Sequence, residues 1–274
     1  MENVETVNLS MINRIILFVI VTGILIPKIA CASVKESIGV NIYENIQKAR
    51  ELYSQRSNHE KLRAAINVYK NTLKQLTAQD EYYDKKRAEI FVELSRCCFK
   101  MAEYYAESCK GKTSWFEMGE KYGRKAISLD SENVGGYYWM VQNLGQHGSL
   151  NKLYFLNKKR AFEDALKKAE ELDNHNEPYD YGGIYRTLTA YYTPRLLWGD
   201  IDKALEYAKK IETSPRYLSN LSVLAELYWK IDRTKCEEYA KRIISADLSR
   251  YPETQLENTF VQKEAGKKWG KLLK

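Results

Sequence analysis

A short segment near the C-terminal end of the chain occurs twice, and this repetition constrains the fold more than any other feature. Residues 206–211 read EYAKKI, and residues 238–243 read EYAKRI. Two earlier helical patterns carry alanine, as Ala126 and Ala169, at the position that Ala208 has in the first copy. A lone helix hairpin leaves one apolar face exposed, and small residues such as alanine let the next hairpin approach closely. The chain is therefore predicted to stack helix hairpins around a continuous core.

Apolar residues follow a helical spacing along most of the chain, and the alternation typical of strands is absent. The predicted fold class is all-α. The two copies are separated by nearly the interval of tetratricopeptide (TPR) repeats. We therefore predict a TPR-like α-solenoid of about five helix hairpins plus a C-terminal capping helix. A generic α-helical bundle with chance internal similarity is the alternative. The four prolines after the predicted signal peptide, Pro178, Pro194, Pro215 and Pro252, all fall between helical patterns.

Two of the predicted hairpins lie in the stretch from residue 135 to residue 200 and have over-long connections. In the first hairpin, Gly145 is predicted to end a helix and to begin a loop that reaches Leu156. In the second hairpin, the loop passes through Trp198. Asp200 is predicted to cap the helix that follows this loop, because its side chain can accept a hydrogen bond from a free backbone N–H group.

Positions 1–32 are predicted to be a secretory signal peptide, and positions 33–274 to be a single helical-repeat domain. The apolar run at residues 15–26 follows a basic residue and is too short for a transmembrane helix. Acidic residues before Met11 suggest that Met11 is the true start. Cys31 leaves a lipidated lipoprotein open as a second interpretation, and an uncleaved N-terminal anchor is a third. All three place the folded part outside the cytoplasm, in the periplasm.

The composition argues against several classes of function. The net charge of +7 is modest for 274 residues and no base-rich run occurs, so nucleic acid is not an expected partner. No CxxC motif is present and the histidines lie far from any cysteine, so neither a metal nor a cofactor is expected. No nucleophile motif occurs with a matching base, so the chain is not expected to be an enzyme. The cysteines predicted to be buried thiols rather than disulfides are Cys97, Cys98, Cys109 and Cys236.

Aromatic residues are concentrated in the central stretch, where two roles remain open. Such residues usually form core, but a groove or pore lined by rings with a few polar groups is the usual make-up of a small-molecule site. Arg186 is the first residue to test, because a guanidinium can hold a carboxylate bidentately; its alternative role is a salt bridge with a neighbouring helix. The candidate ligand- or partner-binding residues are Tyr138, Trp139, Gln142, Asn143, Tyr185, Arg186, Tyr191, Tyr192 and Trp198. The candidate structural-turn glycines are Gly145, Gly182 and Gly183.

Three segments of the central stretch resemble one protein family in their order and spacing. Residues 137–145 read YYWMVQNLG, residues 179–186 read YDYGGIYR, and residues 194–206 read PRLLWGDIDKALE. These segments resemble three motifs of the T-component of tripartite ATP-independent periplasmic (TRAP) transporters. In that family the motifs read, in the same order, YW…NLG, DGGPxR and PxxxGDxxKALE. The resemblance extends over residues 133–274, and Ile184 stands where the family often has proline.

The resemblance implies an exported accessory protein of a TRAP-type solute uptake system. Family members are thought to work beside the substrate-binding protein, to bind a hydrophobic ligand and to form trimers. The expected partners are therefore a periplasmic solute-binding protein, a small hydrophobic or carboxylated ligand, and further copies of the chain in a homo-oligomer. Two alternatives remain open, a general periplasmic TPR scaffold for envelope protein assembly and a stand-alone carrier of a hydrophobic ligand.

Overall fold

A computed structural model of the protein describes residues 41–76, 81–174, 176–194 and 199–273. Residues 1–40, which include the predicted signal peptide and Cys31, lie outside the described residues. The helices are α1 (residues 41–54), α2 (His59–Gln75), α3 (Glu81–Tyr104), α4 (Cys109–Leu129), α5 (Val134–Leu150), α6 (Lys152–Leu172), α7 (Tyr179–Tyr192), α8 (Ile201–Ala208), α9 (Leu218–Ile231), α10 (Arg233–Ile244) and α11 (Gln255–Trp269). Two short 3-10 turns, Leu248–Arg250 and Pro252–Thr254, precede α11.

Consecutive helices pair into hairpins, and this confirms the prediction of an all-α, solenoid-like fold. The pairs are α1 with α2, α3 with α4, α5 with α6, α7 with α8, and α9 with α10, while α11 packs on α9 and α10. From α3 onward, each odd-numbered helix also contacts the next odd-numbered helix. The odd-numbered helices therefore form one layer of the stack. Among the described residues, none of the helices has the length and apolar character needed to cross a bilayer.

Short polar side chains begin most of these helices, because the first backbone N–H groups of a helix need acceptors. Asp200 accepts a hydrogen bond from the Lys203 backbone N–H at 3.1 Å, which confirms it as the cap of α8. Asp232 accepts from the Lys235 N–H at the same distance and caps α10 in the next hairpin. The caps of α2, α4 and α5 are Asn58, Ser108 and Asn133.

The predicted loop from Gly145 to Leu156 is wrong. α5 continues past Gly145, and Asn151 alone separates it from α6. Asn151 ends α5 and also caps α6, because its side chain accepts from the Tyr154 N–H at 3.1 Å. A Cβ atom on Gly145 would lie 3.2 Å from the Phe162 ring, so this glycine allows α5 to pack closely on α6 and is not a turn residue.

The two ends of the helical array meet, which an open solenoid does not require. Arg56, in the turn between α1 and α2, donates two hydrogen bonds to the Glu257 carboxylate of α11, at 2.9 and 2.7 Å. Lys100 of α3 lies 2.8 Å from the same carboxylate. The Tyr104 ring packs on Phe260, with centroids 4.5 Å apart. Contacts between residues far apart in sequence therefore close the array around an interior.

The cysteines of the described residues are free thiols. Cys97, Cys98 and Cys236 are buried as predicted, whereas Cys109 is exposed at the first residue of α4. Burial raises the pKa of Cys98 to about 12, so this thiol stays protonated and packs as a small apolar side chain.

Candidate functional site

A cavity of about 780 Å³, termed here the central cavity, lies between the odd-numbered helices α3, α5, α7, α9 and α11 and the first turns of α6. Its volume falls within the roughly 300–1,000 Å³ of small-molecule pockets. The aromatic side chains of its wall include Phe99, Tyr104, Trp139, Phe155, Tyr191 and Phe260. Charged side chains also border the cavity, namely Lys100, Glu103, Lys152, Asp180, Arg186 and Glu264. The aromatic part of the wall favours a ligand that is mainly apolar.

The structure brings six of the predicted site residues to the central cavity. They are Tyr138, Trp139, Gln142, Gly145, Arg186 and Tyr191. Gln142 is held there by its side-chain amide, which donates to the Thr187 hydroxyl at 2.6 Å and so links α5 to α7. Trp198 lies outside the described residues.

The remaining predicted binding residues lie away from the central cavity. Asn143 is fully buried, and its amide donates to the Ser95 carbonyl at 3.2 Å, which fastens α5 to α3. The Tyr192 ring stacks on Tyr207 of α8, with centroids 5.8 Å apart. Tyr185 is buried on a side of α7 that does not border the cavity. Asn143 therefore joins α5 to α3, Tyr192 joins the two helices of one hairpin, and Tyr185 is part of the core.

The start of α7 has an unusual backbone. Asp180, Tyr181 and Gly182 have φ angles of 50°, 58° and 78°, in the left-handed region that costs a non-glycine residue roughly 1–2 kcal/mol. The neighbouring helix α9 supports this turn, because Asn220 donates to the Tyr181 carbonyl at 2.9 Å. The Tyr181 ring also stacks on Tyr217, with centroids 5.1 Å apart. Strained backbone of this kind is concentrated at binding sites and switch regions, and here it places Asp180 at the wall of the central cavity.

The side chain of Arg186 lies in this wall with partners from three helices. Its Nη2 atom donates to the Tyr138 hydroxyl at 2.7 Å and to the Asp180 carboxylate at 3.0 Å. Its Nη1 atom donates to the Asn220 side chain at 2.7 Å, and the guanidinium lies 4.7 Å from the Tyr217 ring centroid. Tyr138 donates its own hydroxyl proton to Asp180 at 2.7 Å. The salt bridge of Arg186 is thus made within α7, and its hydrogen bonds extend to α5 and α9.

This network forms a fixed polar part of the wall of the central cavity. A ligand carboxylate that approached Arg186 would compete with Asp180, which is already buried and paired. Burial raises the pKa of Tyr138 well above its ordinary value, so its hydroxyl stays neutral at physiological pH. The network therefore orients the start of α7 and offers little free capacity to bind an anion.

Gly182 and Gly183 are required for different structural reasons, and their alanine variants should therefore lose different amounts of stability. A Cβ atom on Gly183 would lie 2.5 Å from the Tyr138 hydroxyl, whereas one on Gly182 meets nothing within 4 Å but sits at φ 78°. We expect Gly183→Ala to lower the free energy of unfolding by about 3 kcal/mol through overpacking. Gly182→Ala should cost only about 1 kcal/mol, through the left-handed backbone. Urea unfolding of both variants provides the measurement, and equal losses would contradict the steric role of Gly183.

Sequence reasoning missed Lys100, Tyr217 and Glu257, which all lie at the interior of the array. Lys100 falls on the apolar face of α3 between the buried Cys97 and Met101, and this placement of a charge was the available signal. No local pattern distinguished Tyr217 or Glu257 from other residues near the starts of α9 and α11.

No model of a known protein family matches the chain, and no curated protein sequence matches it. The likeness to TRAP T-components therefore depends on the three motif segments. Residues 137–145 lie within α5, and residues 179–186 form the start of α7. Both segments border the central cavity.

Proposed function

We propose that the chain is the T-component of a TRAP-type solute uptake system, an exported protein that docks the periplasmic solute-binding protein. The observation that supports this most is that two motif segments distant in sequence meet at one wall of the central cavity. The hydrogen bond from Tyr138 to Asp180, at 2.7 Å, joins them. A general assembly scaffold needs only its outer surface, so a shaped aromatic cavity favours a role that involves a ligand.

The ligand proposed for the central cavity is small and mainly apolar. Among the described residues, three cationic side chains border this cavity. Lys100 and Arg186 are already paired with Glu257 and Asp180, and Lys152 is exposed to solvent. An apolar ligand leaves these pairs intact, whereas a carboxylated ligand has to compete with buried carboxylates for them. The geometry therefore supports a hydrophobic ligand over a carboxylated one.

The docking surface proposed for the partner lies at the turn between α5 and α6. Leu150, Leu153 and Leu156 expose 41%, 74% and 56% of their surface there. Leu156 also borders the central cavity. Neighbouring exposed apolar side chains often mark protein contact sites. A solute-binding protein seated on these leucines would lie at the edge of the central cavity.

Replacing both Leu153 and Leu156 with aspartate is expected to reduce capture of the solute-binding protein at least about tenfold, because charges replace apolar contacts. Both side chains are exposed, so the free energy of unfolding should change by less than about 1 kcal/mol. The measurement is affinity capture by the tagged chain in its own host, with mass spectrometry of proteins and small molecules. Ile231→Asp, at an exposed residue at the end of α9, is the matched control and should capture normally.

The outcomes of this experiment separate the candidate functions. Capture of a TRAP-type solute-binding protein that depends on the two leucines supports the proposal. Capture of envelope assembly factors in its place would favour the scaffold. An apolar molecule recovered without a protein partner would favour the stand-alone carrier. Light scattering of the purified chain tests whether it forms the trimer that the family likeness predicts.

A further inference from the structure

A second cavity, of about 380 Å³, lies beside the central cavity and is bordered mainly by charged and hydroxyl-bearing side chains. We term it the polar cavity. α1, α3 and the starts of α7 and α11 contribute to its wall. Lys100, Asp180 and Tyr217 border both cavities, so the polar cavity lies on the other side of the network around Arg186.

Two buried polar groups in the wall of the polar cavity have no hydrogen-bond partner among the described residues. One is the hydroxyl of Tyr53, a residue that is only 6% exposed. The other is the Nε atom of Arg96. Native proteins leave few buried donors unpaired, because each unpaired donor costs free energy, and such groups therefore call for an explanation.

The guanidinium of Arg96 is held by aromatic rings and not by a close carboxylate. It lies 4.5 Å from the ring centroid of Tyr53 and 5.6 Å from that of Trp139. The carboxylate paired with it, that of Glu93, is 3.9 Å away, beyond hydrogen-bonding distance. Ring contacts fix the orientation of a guanidinium without using its N–H donors. The Nε donor of Arg96 is therefore unpaired and fixed in orientation, but the wall covers it, and the rest of the Arg96 side chain, which is 29% exposed, is what an approaching anion meets first.

Four cationic side chains and four carboxylates of the described residues border the polar cavity, so the charges of its wall balance. Three of its carboxylates already have cationic partners within 4 Å, which are Arg56 and Lys100 for Glu257, Arg186 for Asp180, and Arg216 for Glu253. Two further cations of the wall, Arg50 and Arg96, are opposed by Glu93. Because the other three carboxylates are paired, Arg50 and Arg96 share one carboxylate, and this local positive charge attracts anions.

We propose that the polar cavity binds a small oxyanion, the carboxylate or phosphate group of a small molecule, between Arg96 and the hydroxyl of Tyr53. Arg50 lies one helical turn before Tyr53 on α1 and supplies charge at the exposed edge. An oxyanion accepts hydrogen bonds from both unpaired donors, which a cation cannot do. Burial raises the pKa of Tyr53 well above its ordinary value, so the hydroxyl keeps the proton that it donates. Anion binding here requires neither the docking partner nor the ligand proposed for the central cavity.

Titration of the purified full chain with inorganic phosphate, and separately with succinate, tests this proposal. Calorimetry at about neutral pH and constant ionic strength distinguishes a defined site from general screening. Saturable binding of phosphate alone identifies a phosphate site, and saturable binding of succinate alone identifies a carboxylate site. Either result supports the proposal, whereas saturable binding of neither anion overturns it.

Tyr53→Phe removes only the unpaired hydroxyl and should weaken anion affinity about tenfold, because it deletes one hydrogen bond to a charged group. The thermal stability of the anion-free variant should not fall, since no protein contact is lost. Tyr69→Phe is the matched control, because its hydroxyl is also buried and unpaired among the described residues but does not border the polar cavity. Arg96→Gln should abolish detectable binding. Wild-type affinity in Tyr53→Phe, or an equal loss in Tyr69→Phe, would show that the assignment is wrong.

Discussion

Replacing Glu257 with glutamine is expected to lower the free energy of unfolding by about 3–5 kcal/mol. Glu257 is 1% exposed, and its carboxylate lies 2.7 Å from Arg56 and 2.8 Å from Lys100. A neutral amide would leave two buried cations without their counter-charge, which is the costly way to break a buried ion pair. These contacts join α11 to α3 and to the turn after α1, so their loss also weakens the closure of the array. Urea unfolding followed by circular dichroism measures the loss.

Glu226→Gln is the matched control for this variant. Glu226 of α9 pairs with Lys268 of α11 at 2.8 Å, but both side chains are about half exposed. An exposed ion pair contributes less than about 1 kcal/mol, because water screens it and both side chains lose entropy. If the two variants lose the same stability, closure of the array does not depend on the buried cluster.

The contribution of Glu257 should also depend on pH in one direction. Burial acts to raise the pKa of Glu257, but Lys100 and Arg56 outweigh it and hold that pKa well below its ordinary value of 4.5. A carboxyl group with a lowered folded-state pKa stabilises the fold above its ordinary pKa, and the contribution is lost as the pH falls through the folded-state value. The stability gap between wild type and Glu257→Gln should be complete at neutral pH and shrink below pH 4.5. If the difference in stability between wild type and Glu257→Gln stayed constant below pH 4.5, ionisation of Glu257 would not be its cause.

Replacing Arg186 with alanine is expected to cost about 3–5 kcal/mol of folding free energy as well. The change leaves the buried carboxylate of Asp180 without its cation and removes hydrogen bonds to Tyr138 and Asn220. It also removes the bond from Arg186 to the Asp180 carbonyl at 3.3 Å, which supports the left-handed turn. The largest part of the loss should come from the uncompensated charge, because a lone buried carboxylate is poorly solvated. Urea unfolding at neutral pH provides the measurement.

A double variant identifies that cause. Arg186→Ala combined with Asp180→Ala removes both charges, so its loss should be smaller than the sum of the two single losses by about 1–3 kcal/mol. Arg160→Ala is the control, because the Arg160 side chain is 95% exposed and lies 3.8 Å from Asp164, and it should change stability by less than about 0.5 kcal/mol. Strictly additive single losses would argue against a coupled pair in the wall of the central cavity.

Features that depend on near neighbours in sequence could be predicted. The EYAKKI and EYAKRI copies predict the matching helices α8 and α10, although α8 already ends at Ala208, inside the first copy. The position of Asp200 before α8 identifies it as a cap. Ala126 and Ala169 are fully buried, as their repeated position indicates. Helical periodicity and capping depend on contacts within about four residues, so the local pattern contains the information needed.

The structural roles of single glycines could not be predicted from the local sequence in the same way. The sequence pattern makes Gly145 a turn, but the structure places it against Phe162 in the middle of a helix packing contact. An isolated glycine in a helical pattern is compatible with a break or with close packing, and the neighbouring helix distinguishes the two. Gly182 and Gly183 do lie at a tight turn, yet the close contact of Gly183 is with Tyr138 of another helix.

The sequence by itself determined the helices, their order and their pairing into hairpins. The tertiary structure decided that the array closes, that Arg56, Lys100 and Glu257 form one buried cluster, and that two cavities share a wall at Asp180 and Tyr217. In the sequence, Arg56 and Glu257 look like ordinary surface residues, and Lys100 differs only in its place on the apolar face of α3. Small rotations between successive hairpins add up along the stack, and they determine which distant residues meet. Burial and charge pairing follow from that accumulated geometry, which no local segment encodes.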